Sequence, residues 1–187
     1  MHKFNISSRI NRAAYNKIIC NPLNDKNKRF LLGKKGTAEL LAIGLNPSTA
    51  NEAQLDPTSR NIEKIANKNG CDGWWLVNLY PKRTSKPTNL PQKSNAKLTQ
   101  ENLFFIENLF QDSNFNIVKV LCCWGNHVKD HAYLELQAAK IQECIKSHGI
   151  NFHCIGTTKS GNPFHPSPMA VNVFLGGIDQ LKLIDYS

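Results

Sequence analysis

Four short apolar runs alternate with segments of helical spacing, and this alternation narrows the possible folds more than any other feature of the chain. The runs occupy residues 39–45, 74–79, 117–123 and 152–155. Between them, Asp56-Pro57 opens a helix that Gly70 closes, since Asp suits the cap and Pro the first turn. Residues 98–110 carry apolar side chains at helical spacing, and residues 125–148 are mostly helical in character, ended by Gly149. Strand and helix in alternation predict an α/β three-layer sandwich: a central, mostly parallel four-stranded sheet with helices on both faces. Ligand sites in such sheets gather on the loops that leave the carboxyl ends of the strands. No internal repeat or low-complexity tract divides the 187 residues, so one domain over residues 1–187 is expected. Residues 1–28 read as a helical extension, with its helix around residues 11–20. Residues 29–45 read as a hairpin, turning at Gly33-Lys-Lys-Gly36 and feeding the first apolar strand.

Composition limits the partners. Lys and Arg number 23 against 14 Asp and Glu, a net charge of +9 that favours a polyanion such as nucleic acid. The apolar runs are too short to span a bilayer, so no membrane association is expected. Six cysteines (Cys20, Cys71, Cys122, Cys123, Cys144 and Cys154) show no C-x-x-C spacing and read as reduced, mostly buried thiols. With no secretory signal visible, the expected location is cytoplasmic. The first nineteen residues, basic and free of acids, also have the composition of a transit peptide. His127 and His131 stand four apart, but the H-E-x-x-H pattern is missing and no third ligand is evident. Neither a metal, nor a cofactor, nor an obligate protein partner is therefore implied.

Four segments at expected strand ends carry the chemistry: Gly44-Leu-Asn-Pro-Ser-Thr49, Leu76-Val-Asn-Leu79, Leu121-Cys-Cys-Trp-Gly125 and His165-Pro-Ser-Pro168. Singly, each has a structural explanation in turn or core chemistry. In this order they resemble the motifs of the uracil-DNA glycosylase superfamily, over about residues 40–169. Gly44-Leu-Asn-Pro47 is similar to that superfamily's first motif in its asparagine form, and His165-Pro-Ser-Pro168 to its last. A closer resemblance is to a bacterial and phage family known as domain of unknown function 1643. Its pattern is met at Asn46-Pro-Ser-Thr-Ala50, Asp56-Pro-Thr58, Asn78-Leu79, Trp124-Gly125 and residues 158–166.

The resemblance implies a uracil-DNA glycosylase-like sandwich and cleavage of the bond between a flipped base and its sugar. That reaction leaves positive charge on the sugar and negative charge on the departing base. His165 is then the donor to a base carbonyl oxygen, and Asn46 holds the attacking water through its amide oxygen, although an amide cannot take its proton. Asp56 has two readings, a carboxylate for the site and a plain helix cap. Asn78 offers a donor and an acceptor to the edge of a pyrimidine, within a pocket that includes Gly44. Trp75 or Tyr80 is a candidate to stack on the base, though alternation puts one of them in the core. Ser48 stands where the uracil-specific motif has tyrosine beside pyrimidine C5. The smaller side chain leaves room for a C5 substituent, thymine-sized or bulkier, such as a phage-type hydroxymethylcytosine carrying a sugar.

Arg83 and Lys159 are the leading contacts to DNA phosphates, with Arg60, Lys64, Lys86 and Ser167 beside them. Arg60, Lys64 and Lys68 share a helix face at i, i+4 and i+8. The expected function is a monofunctional DNA glycosylase in repair or anti-phage defence. The alternatives are a non-catalytic reader of modified bases and a nucleoside or nucleotide hydrolase.

Overall fold

The computed structural model describes residues 17–187. A seven-stranded sheet forms its centre: β1 (Ile18–Asn21), β2 (Leu31–Lys34), β3 (Glu39–Gly44), β4 (Gly73–Asn78), β5 (Ile117–Cys122), β6 (Phe152–Cys154) and β7 (Ile184–Asp185). Their spatial order is β1-β2-β4-β3-β5-β6-β7. The four neighbours β4, β3, β5 and β6 are parallel, while β1, β2 and β7 add antiparallel edges. The sheet thus has seven strands instead of the expected four, because short edge strands extend the parallel set on both sides.

Helix α1 (Pro57–Lys68) connects β3 to β4, α2 (Ala96–Gln111) connects β4 to β5, and α3 (Ala132–Lys146) connects β5 to β6. Strand alternation decides what packs where. Leu41 and Ile43 of β3 and Trp75 and Val77 of β4 face α2 and α3, meeting Phe105, Ile106, Leu134 and Ile141. Leu40, Ala42, Trp74 and Leu76 face the other way, toward Ile62, Ile65 and Ala66 of α1. Both sides of the central strands are therefore buried, which is why these runs read as continuously apolar.

Two expectations about the N-terminal region need correction. The part of the expected helix at residues 11–16 lies outside the described residues, but residues 18–20 belong to β1, which pairs with β2. Residues 29–45 are not a hairpin either, because β4 lies between β2 and β3. The glycine explains the crossing. A Cβ at Gly33 would sit 2.0 Å from the Trp74 carbonyl oxygen, so only glycine lets β2 lie this close along β4.

The amino ends of the strands carry structural carboxylates. Asp72 accepts from the Thr37 and Ala38 N–H groups, both at 2.8 Å, and these donors hold it down to about 2. Buried Glu39 accepts from Gly36 N–H and Asn116 N–H, and burial pushes its carboxyl above the usual range. At the carboxyl ends, connections leave β3 through α1 on one face and β5 through α3 on the other. This reversal opens the crevice in which sheets of this kind bind ligands. No described helix is long and apolar enough to cross a membrane.

Candidate active site

A cavity of about 540 Å³ opens in that crevice, and all four strand-end segments line it. Gly44, Asn46 and Ser48 come from the loop after β3, Asn78 from the end of β4, Trp124 to His127 from the loop after β5, and His165, Ser167 and Pro168 from the C-terminal loop. Asp56, Pro57 and Thr58 bring the start of α1 to the same wall. Asn46, Asn78 and His165 thus face one volume.

The orientation of Asn46 follows from its partners. Its Nδ2 donates to Thr84 O at 2.8 Å and to Pro47 O at 3.0 Å. Both amide hydrogens are engaged, so Oδ1 is the atom left to accept from a ligand or water. Asn78 is 2% exposed, and its Nδ2 has no hydrogen-bond partner among the described residues. A buried donor without an acceptor costs about 1–3 kcal/mol, a cost that a bound carbonyl oxygen would cancel. Its position is fixed from behind: Asn102 Nδ2 donates to Asn78 O at 2.9 Å, and pairing continues beyond the strand through Leu79 N–H to Gly44 O. A Cβ at Gly44 would stand 3.0 Å from Asn78 Oδ1, so the glycine keeps room for this amide.

His165 retains some exposure to the cavity but is closely enclosed by protein. That enclosure pulls its imidazole below the ordinary value of 6.5; the charge of Asp56 opposes the shift, and that of His127 adds to it. His165 is therefore mostly neutral at pH 7. Gly125, at φ +73°, lets the chain turn against this residue, where a Cβ would meet His165 Cβ at 3.2 Å.

Both readings of Asp56 have a counterpart in the geometry. Its Oδ1 caps α1, accepting from Ser59 N–H at 2.8 Å and Ser59 Oγ at 2.9 Å, while the residue also lines the cavity. Ser48 lines both this cavity and an adjoining hollow of about 600 Å³, and Thr49, Thr84 and Ser85 are shared with it.

Other expected site residues lie elsewhere. Trp75 and Tyr80 are fully buried on the α2–α3 side and line neither cavity, so neither can stack on a base. Trp75 packs on Phe115, and the Tyr80 hydroxyl accepts from Asn95 N–H at 3.1 Å. Arg83 spends its guanidinium on its own chain, with Nη1 donating to Ser48 O at 2.9 Å and Ala50 O at 3.0 Å. It fastens the loop after β3 instead of presenting a free cation. Arg83→Met should therefore lower stability by about 1–3 kcal/mol in urea melts and leave the salt dependence of DNA binding unchanged. A reduced salt slope with unchanged stability would show that the phosphate role was right after all.

Lys159, Lys64 and Lys86 are exposed. Arg60 is exposed as well, although it donates to the Leu55 carbonyl. Ser167 lines the cavity and accepts from Ala170 N–H through Oγ at 3.2 Å. His127 and His131 do not share a helix, because a short 3-10 turn, Asn126–Asp130, precedes α3. His127 pairs with Asp130 at 2.6 Å, whereas His131 is buried against Tyr133. No group of three or more potential metal ligands occurs among the described residues.

Sequence reasoning missed Arg29 and Met169. Arg29 is 2% exposed and lines the cavity, which an arginine ahead of a short strand does not announce. Met169 is 67% exposed beside the cavity-lining Pro168, where an apolar residue in a loop looks unremarkable in sequence.

No curated protein and no solved structure matches the chain. Residues 29–167 match the family described as Protein of unknown function (DUF1643), a span that contains the cavity-wall motifs up to Ser167. The chain belongs to the DUF1643 family.

Proposed function

We propose that the protein is a monofunctional DNA glycosylase of the uracil-DNA glycosylase type, acting on a flipped, C5-substituted pyrimidine and leaving an abasic site. The observation that carries this reading is the convergence of Asn46, Asn78 and His165 on one cavity, with a free acceptor on the first and an unpartnered donor on the second. Asn78 Nδ2 reads a carbonyl oxygen on the base edge. Neutral His165 donates to the base oxygen that gains charge as the bond breaks. Asn46 Oδ1 positions the water that attacks the sugar. Among the described residues no lysine lines the cavity, and the reading is one of hydrolysis without a covalent amine adduct.

Two further features fit this substrate. The hollow beyond Ser48 gives a C5 substituent somewhere to go, including a sugar on hydroxymethylcytosine. Met169, Val173 and Phe174 are exposed apolar residues in the segment that follows the His165 loop. An apolar side chain at a site mouth can wedge between base pairs and hold the gap that a flipped base leaves. Met169→Ser is expected to cut turnover on duplex DNA about tenfold, a loss of roughly 1.4 kcal/mol, and to spare single-stranded substrate. Equal losses on both substrates would remove the wedge.

The test of the reading is direct. The protein is incubated with a panel of natural and phage-modified DNAs, released bases are identified by mass, and abasic sites are counted. Release of a C5-substituted pyrimidine supports it; release of unsubstituted uracil alone contradicts the role given to Ser48. One observation favours a second reading, that of a reader without turnover. Among the described residues Asp56 is the one carboxylate that lines the cavity, and one of its oxygens caps α1, while Asn46 is an amide. Tight binding of a modified duplex with no abasic sites would select the reader.

A further inference from the structure

One hydrogen bond to the loop after β3 leaves most of the Arg29 guanidinium unexplained. The residue precedes β2, is buried almost completely, and lies in the cavity wall on the Ser48–Ala50 side, where Nη1 donates to Ala50 O at 3.0 Å. Its Nε has no partner among the described residues, and it forms no ion pair there. A buried cation without a paired anion is costly, and chains keep one only where something compensates it. Arg83, whose guanidinium donates to the same carbonyl oxygen, adds a second positive charge nearby. The groups that act on Arg29 with opposite sign are first Cys20, whose thiol burial keeps protonated at neutral pH, and then Asp56, whose Oδ1 is already committed to Ser59.

The first turn of α1 lines the same cavity. Asp56 caps the Ser59 N–H, Pro57 has none, and the Thr58 N–H lies in the first turn, where no intrahelical acceptor exists. A twelve-residue helix presents the positive end of its dipole there. Two elements of unrelated origin, a buried guanidinium and a helix start, thus turn positive character toward one volume.

We propose that this wall is an oxyanion subsite, with Arg29 as its anchor. A carboxylate or phosphate oxygen bound there accepts from the guanidinium edge and returns to the buried charge the partner it lacks. The guanidinium, drawn down to about 10 by its burial, is still charged at neutral pH. Two sources can bring such an oxyanion into the cavity: the phosphate of a nucleotide, or an acidic substituent on the base itself. Because the subsite lies beside Ser48, an acidic C5 group is the ligand whose position on a flipped pyrimidine matches it, and that choice of source rests on the glycosylase reading. Anion binding itself does not.

Calorimetric titration of the full chain with matched pairs of ligands tests this. Thymidine 5′-monophosphate is set against thymidine, and 5-carboxyuracil against uracil, each for the wild type and Arg29→Met. At least one acidic ligand should bind tenfold or more tightly than its neutral partner, and Arg29→Met should erase the difference. Preference within the first pair assigns the subsite to a phosphate, and within the second to a base substituent. Equal binding within both pairs overturns the proposal, as does a preference that survives in Arg29→Met. Should that variant fail to fold, the Nε–H resonance of Arg29 in the labelled wild type decides: it must shift on addition of the preferred acidic ligand, and an unmoved resonance overturns the subsite. None of these readouts requires bond cleavage, so loss of the glycosylase reading and loss of the subsite are separable.

Discussion

Replacing His165 with Gln should lower base release about 10²–10³-fold, the usual cost of losing one donor to a charge that forms in the transition state. Affinity for the modified duplex should change far less, because the bond to the base oxygen strengthens only as the glycosidic bond breaks. The pH profile adds a separate check. In the proposed reaction the imidazole acts in its neutral form, and enclosure holds its value below 6.5. Activity should therefore stay level from neutral pH downward and fall only below 6.5, as the ring takes up a proton. Asp56→Asn removes the negative charge that favours protonation, so it should move this acid limb to lower pH. His127→Gln removes an opposing positive charge and should move it up. The same shift bears on stability: the unfolded chain binds the proton more readily, so the contribution of His165 is whole above 6.5 and is lost as pH falls through the folded value. A limb at or above 6.5, indifferent to both substitutions, would rule out neutral His165 as the donor.

Introducing a carboxylate at position 46 should harm the protein, even though a carboxylate looks like the better partner for water. In Asn46→Asp the two hydrogens that hold Thr84 O and Pro47 O disappear, and an oxygen takes the place of Nδ2, 2.8 Å from one carbonyl and 3.0 Å from the other. Two acceptors lose their donors and face a negative charge. The expected loss is about 1–3 kcal/mol for each group left unpaired, and the new carboxyl should titrate above the ordinary range. Turnover should fall about 10²-fold, since a displacement of roughly 1 Å at a reacting group costs that much. Asn46→Ala should match it in rate with a smaller loss of stability. Denaturant melts together with single-turnover base release check both parts. A faster enzyme with an intact melt would show that the amide orientation inferred for Asn46 is wrong.

The sequence made the layers legible, because strands buried on two faces leave uninterrupted apolar runs and helices leave their own spacing. It was silent about strand order. Residues 29–45 resemble a hairpin since neighbours in sequence usually pair, and nothing in Gly33 says that it makes room for β4 instead of a turn. β1 escaped notice because four residues on a sheet edge show too little alternation. Alternation predicted that one of Trp75 and Tyr80 belongs to the core without saying which; both are buried, Trp75 within β4 and Tyr80, beyond the last residue of β4, through the extra pairing of Leu79 and Tyr80 with the β3 loop. The cavity residues Asn46, Asn78 and His165 could be named from their motifs. Their hydrogen-bond assignments could not, because these depend on carbonyls such as Thr84 O, 38 residues distant. Charge was the least informative property: Arg83 and Arg29 look like any surface cation in a basic chain, and both are committed inward.

That inward commitment has a mechanical consequence. Two guanidiniums from different parts of the sheet edge converge on one carbonyl, that of Ala50, and one of them also holds Ser48 O. A segment riveted at two carbonyls either side of Thr49 has little freedom to swing, so the cavity meets its guest as a mould and not as a closing hand. Whatever distortion recognition requires must then be borne by the guest, and polymers that bend cheaply should be preferred over stiff ones of identical chemistry.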